Sequence, residues 1–174
     1  MTDREFLISL LKSEIKLSRE KLTMLFQLEN ATEPIKAYLK RNAFAAWSND
    51  ILLMFNRPDS PELVLFYVQQ GYNITPNIEF KLFELPNAEE ILTAYVVKNQ
   101  LYSNLAQLKL FAFPSAPEIL RLYVENRHEL NHKAQIKLFD LPNAKELVKR
   151  YTALNFNLCK EFRRLAYKRG WHKD

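Results

Sequence analysis

From residue 18 to residue 157 the apolar positions return in step. Phe26, Phe55, Phe83, Phe111 and Phe139 stand 29, 28, 28 and 28 residues apart, and twelve residues after each comes a tyrosine: Tyr38, Tyr67, Tyr95, Tyr123 and Tyr151. Residues 81–95 read KLFELPNAEEILTAY and residues 137–151 read KLFDLPNAKELVKRY. The other three copies are MLFQLENATEPIKAY, LMFNRPDSPELVLFY and KLFAFPSAPEILRLY. In the third copy Phe80, Leu82, Phe83 and Leu85 fall on one stretch, while Ala88, Ile91, Leu92 and Tyr95 recur at helical spacing on the next. The pattern predicts two short amphipathic helices per copy. Neither buries its apolar stripe alone, and stacking copy on copy buries both.

Polar residues and prolines mark the predicted helix ends. Proline stands just ahead of the second helix in four copies (Pro58, Pro86, Pro114, Pro142), and its ring disfavours helical geometry in the residue before it, so the first helix stops there. Four residues after each Phe comes an N-cap type, at Asn30, Asp59, Asn87, Ser115 and Asn143. Three residues further stands Glu33, Glu62, Glu90, Glu118 or Glu146, the spacing of a capping box. Sixteen residues after the Phe, Asn42, Gly71, Asn99 and Asn155 are expected to end the second helix in left-handed geometry, with Asn126 one place early in the fourth copy. Ser18, Ser48, Thr75, Ser103 and Asn131 are expected to cap the first helices. Each copy thus reads as a first helix of roughly ten residues and a second of roughly twelve. In the first copy Pro34 falls where an amide is normally needed, so that second helix is expected to start a residue or two late.

The predicted fold is all-α: an α-solenoid of five helix-turn-helix repeats over residues 18–157, one domain spanning residues 1–174. Residues 1–17 form an N-terminal capping helix, with Thr2 and Glu5 as its capping box and Phe6, Leu7, Leu10, Leu11 and Ile15 for burial. Residues 158–174 form a basic C-terminal capping helix with Phe162 and Leu165 inward and Gly170 as its stop. In architecture the chain resembles HEAT, armadillo and variant leucine-rich repeat proteins, over nearly its whole length. That resemblance implies a curved surface that holds another macromolecule.

Composition narrows the function. Two glycines leave no flexible linker and no Gly-rich phosphate loop. The single cysteine, Cys159, cannot form an internal disulfide and reads as a half-buried thiol. No stretch is long and apolar enough to span a bilayer, and the N-terminus lacks a signal-peptide cleavage pattern, so a cytoplasmic protein without membrane contact is expected. The histidines are His128, His132 and His172. A turn is expected between Asn126 and Asn131, which places His128 in a loop and His132 at the start of the next helix, so no metal site is predicted. No nucleophile, acid–base pair or cofactor motif stands out from the repeat, and the chain is not expected to be an enzyme. The Phe and Tyr columns read as scaffold, each tyrosine packing its ring between helices.

Two surfaces are candidates for partners. Ten and fourteen residues after each Phe stand Lys36 and Lys40, Leu65 and Gln69, Thr93 and Val97, Arg121 and Glu125, and Lys149 and Ala153. These positions change chemistry from copy to copy inside a fixed frame, as a surface for one particular protein requires. The expected role is a non-enzymatic protein-binding module, either an adaptor or an immunity protein that occludes a toxin. The net charge of +5 argues against a cationic nuclease as that toxin. The alternative is nucleic acid, held by its phosphates on Lys145, Lys149, Arg150, Lys160, Arg163, Arg164 and Lys168. Residues 145–174 carry nine Lys/Arg against three acidic residues, a net of +6.

Overall fold

The computed structural model describes residues 17–41, 48–98, 100 and 102–171, with Glu5 and Ser9 in addition, and every regular element among the described residues is a helix. Glu5 and Ser9 are helical; the rest of the expected N-terminal helix, the stops at Asn42 and Asn99, the Ser48 side chain and His172 lie outside what is described. The chain divides into two compact units, residues 1–98 and 99–174.

The first unit holds α1 (Arg19–Gln27), α2 (Thr32–Arg41), α3 (Ser48–Phe55), α4 (Ser60–Gln69), a 3-10 helix η1 (Glu79–Glu84) and α5 (Ala88–Val97). Here α1 packs on α3, α2 on α4, and α4 on α5. The second unit holds α6 (Asn104–Leu110), α7 (Ala116–Glu125), α8 (His132–Lys137), a 3-10 turn η2 (Leu138–Asp140), α9 (Ala144–Ala153) and α10 (Lys160–Lys168). It packs the same way: α6 on α8 and α8 on α10 in one layer, α7 on α9 in the other.

The proline corners form as the sequence predicts. Leu85 and Leu141, each followed by proline, are extended, with ψ of 146° and 150°. Helices α4, α5, α7 and α9 start five residues after their Phe, and α2 starts one place later, where Pro34 denies it an amide. The expected long first helix of the third copy is instead η1. The carbonyl of Thr75 accepts from the amides of Ile78 and Glu79, and the chain winds on with 3-10 geometry.

Four of the expected capping boxes do not form. Asp59, Asn87, Ser115 and Asn143 have ψ values between 6° and 32°, not the extended geometry of an N-cap, and none of their side chains caps its own helix. Two of these side chains reach back to the preceding helix pair: Nδ2 of Asn87 donates to the carbonyl of Pro61 at 3.1 Å, and that of Asn143 to the carbonyl of Pro117 at 3.4 Å. Asp59 accepts from the hydroxyl of Thr32 in the equivalent place. Ser18, Ser103 and Asn131 cap their first helices as expected, accepting from amides two or three residues on, whereas the cap expected at Thr75 gives way to Ile78, the residue ahead of η1.

The three second-helix ends that are described turn through left-handed residues at the expected step, with one change of residue. Gly71 (φ 80°) and Asn155 (φ 57°) take that conformation, but in the fourth copy it is taken by Arg127 (φ 59°), not by Asn126. Asn126 stays right-handed and donates its side-chain amide to the carbonyl of Leu122. The sixteen-residue step from Phe outranks residue preference here, because the next amide must close on the helix. That of His128 reaches the carbonyl of Tyr123 at 3.1 Å, as that of Tyr72 reaches Tyr67 in α4. Across this turn the aromatic rings meet: Tyr67 with Tyr72 (5.0 Å between centroids), Tyr123 with His128 (4.8 Å) and Tyr151 with Phe156 (4.7 Å). All five tyrosines of the column are buried. The hydroxyl of Tyr95 donates to the carbonyl of Ile74, and that of Tyr151 lies against the backbone of Leu130, in both cases 21 residues back.

Candidate partner-binding surfaces

In the first unit the variable positions lie on α2, α4 and α5. Lys36, Leu65 and Thr93 are half-buried, whereas Lys40, Gln69 and Val97 are exposed, Val97 to 53%. Lys36 is committed: its Nζ pairs with Glu33 at 3.0 Å and with Glu62 of α4, and these two carboxylates, Glu62 foremost, raise its pKa. In the second unit Arg121 is half-buried and Glu125, Lys149 and Ala153 are exposed. Arg121 pairs with Glu118 at 3.0 Å and Glu125 at 2.7 Å, and Arg150 of α9 reaches the same Glu125. These exposed pairs contribute little stability. Their consequence is that Lys36, Arg121, Glu125 and Arg150 present neutralised charge, leaving Leu65, Gln69, Thr93, Val97 and Lys40 in one unit and Lys149 and Ala153 in the other as the members without such a partner among the described residues.

The basic residues near the C-terminus are all exposed. The structure separates them: Lys145, Lys149 and Arg150 lie on α9, which packs on α7, whereas Lys160, Arg163, Arg164 and Lys168 lie on α10, which packs on α8 in the other layer. Apart from Arg150, none forms an ion pair among the described residues. Phe162 and Ala166 of α10 are buried, Leu165 is half-buried, and Tyr167 is 74% exposed beside the cations.

Several polar residues that the repeat pattern had not singled out hold the scaffold. Arg57, where the other copies carry leucine or phenylalanine, is buried. Its guanidinium donates to the carbonyls of Phe26 (2.6 Å), Leu28 (2.7 Å) and Glu29 (3.2 Å), where the dipole of α1 favours a cation, and to Asp59 at 2.7 Å and 3.0 Å. Burial pushes the Asp59 carboxyl up, but bonds from Arg57 and Thr32 outweigh it and hold the group below its ordinary value. Gln107 and Gln135 form matching braces. Each is buried, accepts on Oε1 from the amide of the cap 24 residues later (Asn131 at 2.8 Å, Cys159 at 2.9 Å), and donates Nε2 to the carbonyl five residues earlier. The visible signal for both was a glutamine on the apolar face four residues before the Phe.

His128 is buried against Tyr123 with Nε2 lacking a hydrogen-bond partner among the described residues, and burial lowers its pKa. His132 is exposed at the start of α8. Among the described residues no three His, Cys, Asp or Glu side chains gather as a metal site would require. Cys159 is half-buried and caps α10, its sulfur accepting from the amide of Phe162 at 3.4 Å. No helix among the described residues is long and apolar enough to cross a membrane. Comparison with protein-family models, curated proteins and solved structures found no match.

Proposed function

We propose that the chain is a short α-solenoid of five helix pairs working as a non-enzymatic protein-binding module, an adaptor or an immunity-type protein that covers its target. The observation that carries this reading is the division of labour along each helix pair. The constant residues, from Asn87 and Asn143 to the tyrosine column, are spent on joining one pair to the next. The variable positions on the second helices stay at the surface, and they include an exposed valine, Val97, and a half-buried leucine, Leu65, on neighbouring helices α5 and α4. Solvent alone gives no reason to keep apolar side chains there, and a partner protein does, because its own apolar surface would cover them.

A pull-down from the native source at two salt concentrations tests this. The wild-type chain should retain a discrete protein at both concentrations, and Val97→Glu and Leu65→Glu should lose it while melting at the wild-type temperature. Retention unchanged in both variants would show that the stripe is not the interface.

A further inference from the structure

Within the second unit, we propose that the outer face of α10 binds single-stranded nucleic acid, with phosphates on Lys160, Arg163, Arg164 and Lys168 and a base stacked on Tyr167. At 100° per residue these five side chains fall within an arc of about 140° of the helix. The opposite side is the docked one, Phe162 and Ala166 being buried against the unit. The face therefore has two properties together. Its four cations have no carboxylate partner among the described residues. Tyr167 offers a ring at 74% exposure, three and four residues from the two arginines and next to Lys168. Exposed cations alone would attract any polyanion. An aromatic ring set among them is what single strands use and duplexes cannot, since only an unpaired base frees its face for stacking.

Two competing occupants fit less well. A bilayer surface requires the apolar side of an amphipathic helix to enter the headgroup boundary, and that side of α10 is already occupied by the protein. An acidic protein would satisfy the charges but makes no use of an exposed aromatic ring among them. The neighbouring Arg169 is not part of the face: it donates to the carbonyl of Phe139 at 3.1 Å and stacks on the rings of Phe139 and Trp171, so its role is to fasten the end of α10. Glu161 is the one acidic residue on the helix, and at 100° per residue it falls about 20° outside the arc.

The test is fluorescence anisotropy of the full chain with a labelled 20-nucleotide oligo(dT), an oligo(U) of equal length and a duplex. Single strands should bind more tightly than the duplex, and about four phosphate contacts predict an affinity loss of about 50-fold between 50 and 200 mM salt. Arg163→Glu with Arg164→Glu should abolish binding. Tyr167→Ala should weaken it about fivefold to 100-fold, Tyr167→Phe should restore it, and Val97→Glu should leave it unchanged. Absence of saturable binding, equal binding of duplex and single strand, or indifference to Tyr167→Ala would each overturn the proposal. So would a partner protein lost on charge reversal in the absence of any oligonucleotide binding. Because the stripe variants are read separately, failure here leaves the protein-binding reading standing, and the converse holds too.

Discussion

Asn143 donates its side-chain amide to the carbonyl of Pro117, 26 residues earlier, and Asn87 makes the same bond to Pro61. Each joins the start of one second helix to the first turn of the one before it. Asn143→Ala should therefore cost about 1 kcal/mol, a fall in melting temperature of about 2–4 °C. Ser115 holds the equivalent place, with its hydroxyl buried and lacking a hydrogen-bond partner among the described residues. Ser115→Ala should be neutral or slightly stabilising in the same thermal melt. A cap-sized loss at Ser115 would restore the capping-box reading.

Arg127 in left-handed geometry carries strain of about 1 kcal/mol that glycine would not. Arg127→Gly should leave stability unchanged or raise it by up to about 1 kcal/mol, offset by glycine's greater freedom when unfolded. Gly71→Ala should do the reverse. An added Cβ there meets nothing within 4 Å, so the loss, about 1 kcal/mol by chemical denaturation, would come from the backbone alone.

Arg57 is the residue whose removal should hurt most. Arg57→Leu leaves Asp59 with only the Thr32 hydroxyl as a side-chain donor among the described residues, and the last carbonyls of α1 without the guanidinium, at a cost of about 3 kcal/mol in urea unfolding. Adding Asp59→Asn to that variant should recover part of the loss, since the uncompensated charge goes with it.

His128 predicts a pH dependence near neutrality. Burial holds its folded pKa below the ordinary imidazole value of 6.5, so under acid the unfolded chain takes up a proton that the folded chain resists. Stability should be full above about pH 7 and decline as pH falls through 6.5. His128→Phe, which copies Phe156 of the next helix pair, should flatten the melting temperature between pH 7.5 and 5.5. Asp59 acts in a separate window. Its contribution is present above its unfolded value of 3.8 and is lost only as pH falls below that.

The helices and their corners were legible because they follow from local rules: proline disfavours helix in the residue before it, and an apolar stripe at helical spacing must be buried. The tyrosines and the left-handed ends at Gly71 and Asn155 followed likewise. What local rules missed was the destination of side chains with two possible partners. An asparagine ahead of a helix suits a cap and equally suits a carbonyl 26 residues away, and only the packed neighbour decides. The same limit applied at the candidate surface. The exposure of Val97 and Lys149 was readable, but the neutralisation of Lys36 by Glu62 and of Glu125 by Arg150 joins residues on separate helices. Tyr167 stands outside the repeated tyrosine column, so no periodic rule fixed its exposure, and only the packing of α10 decides it.

The brace from Gln135 ends on Cys159, whose amide it holds while the sulfur caps α10. Since this is the chain's one cysteine, the molecule contains a native probe of whether its final helix is docked. Thiol labelling should be slow while the clasp is closed and should accelerate when α10 lifts away, reporting local release well before the rest of the chain melts.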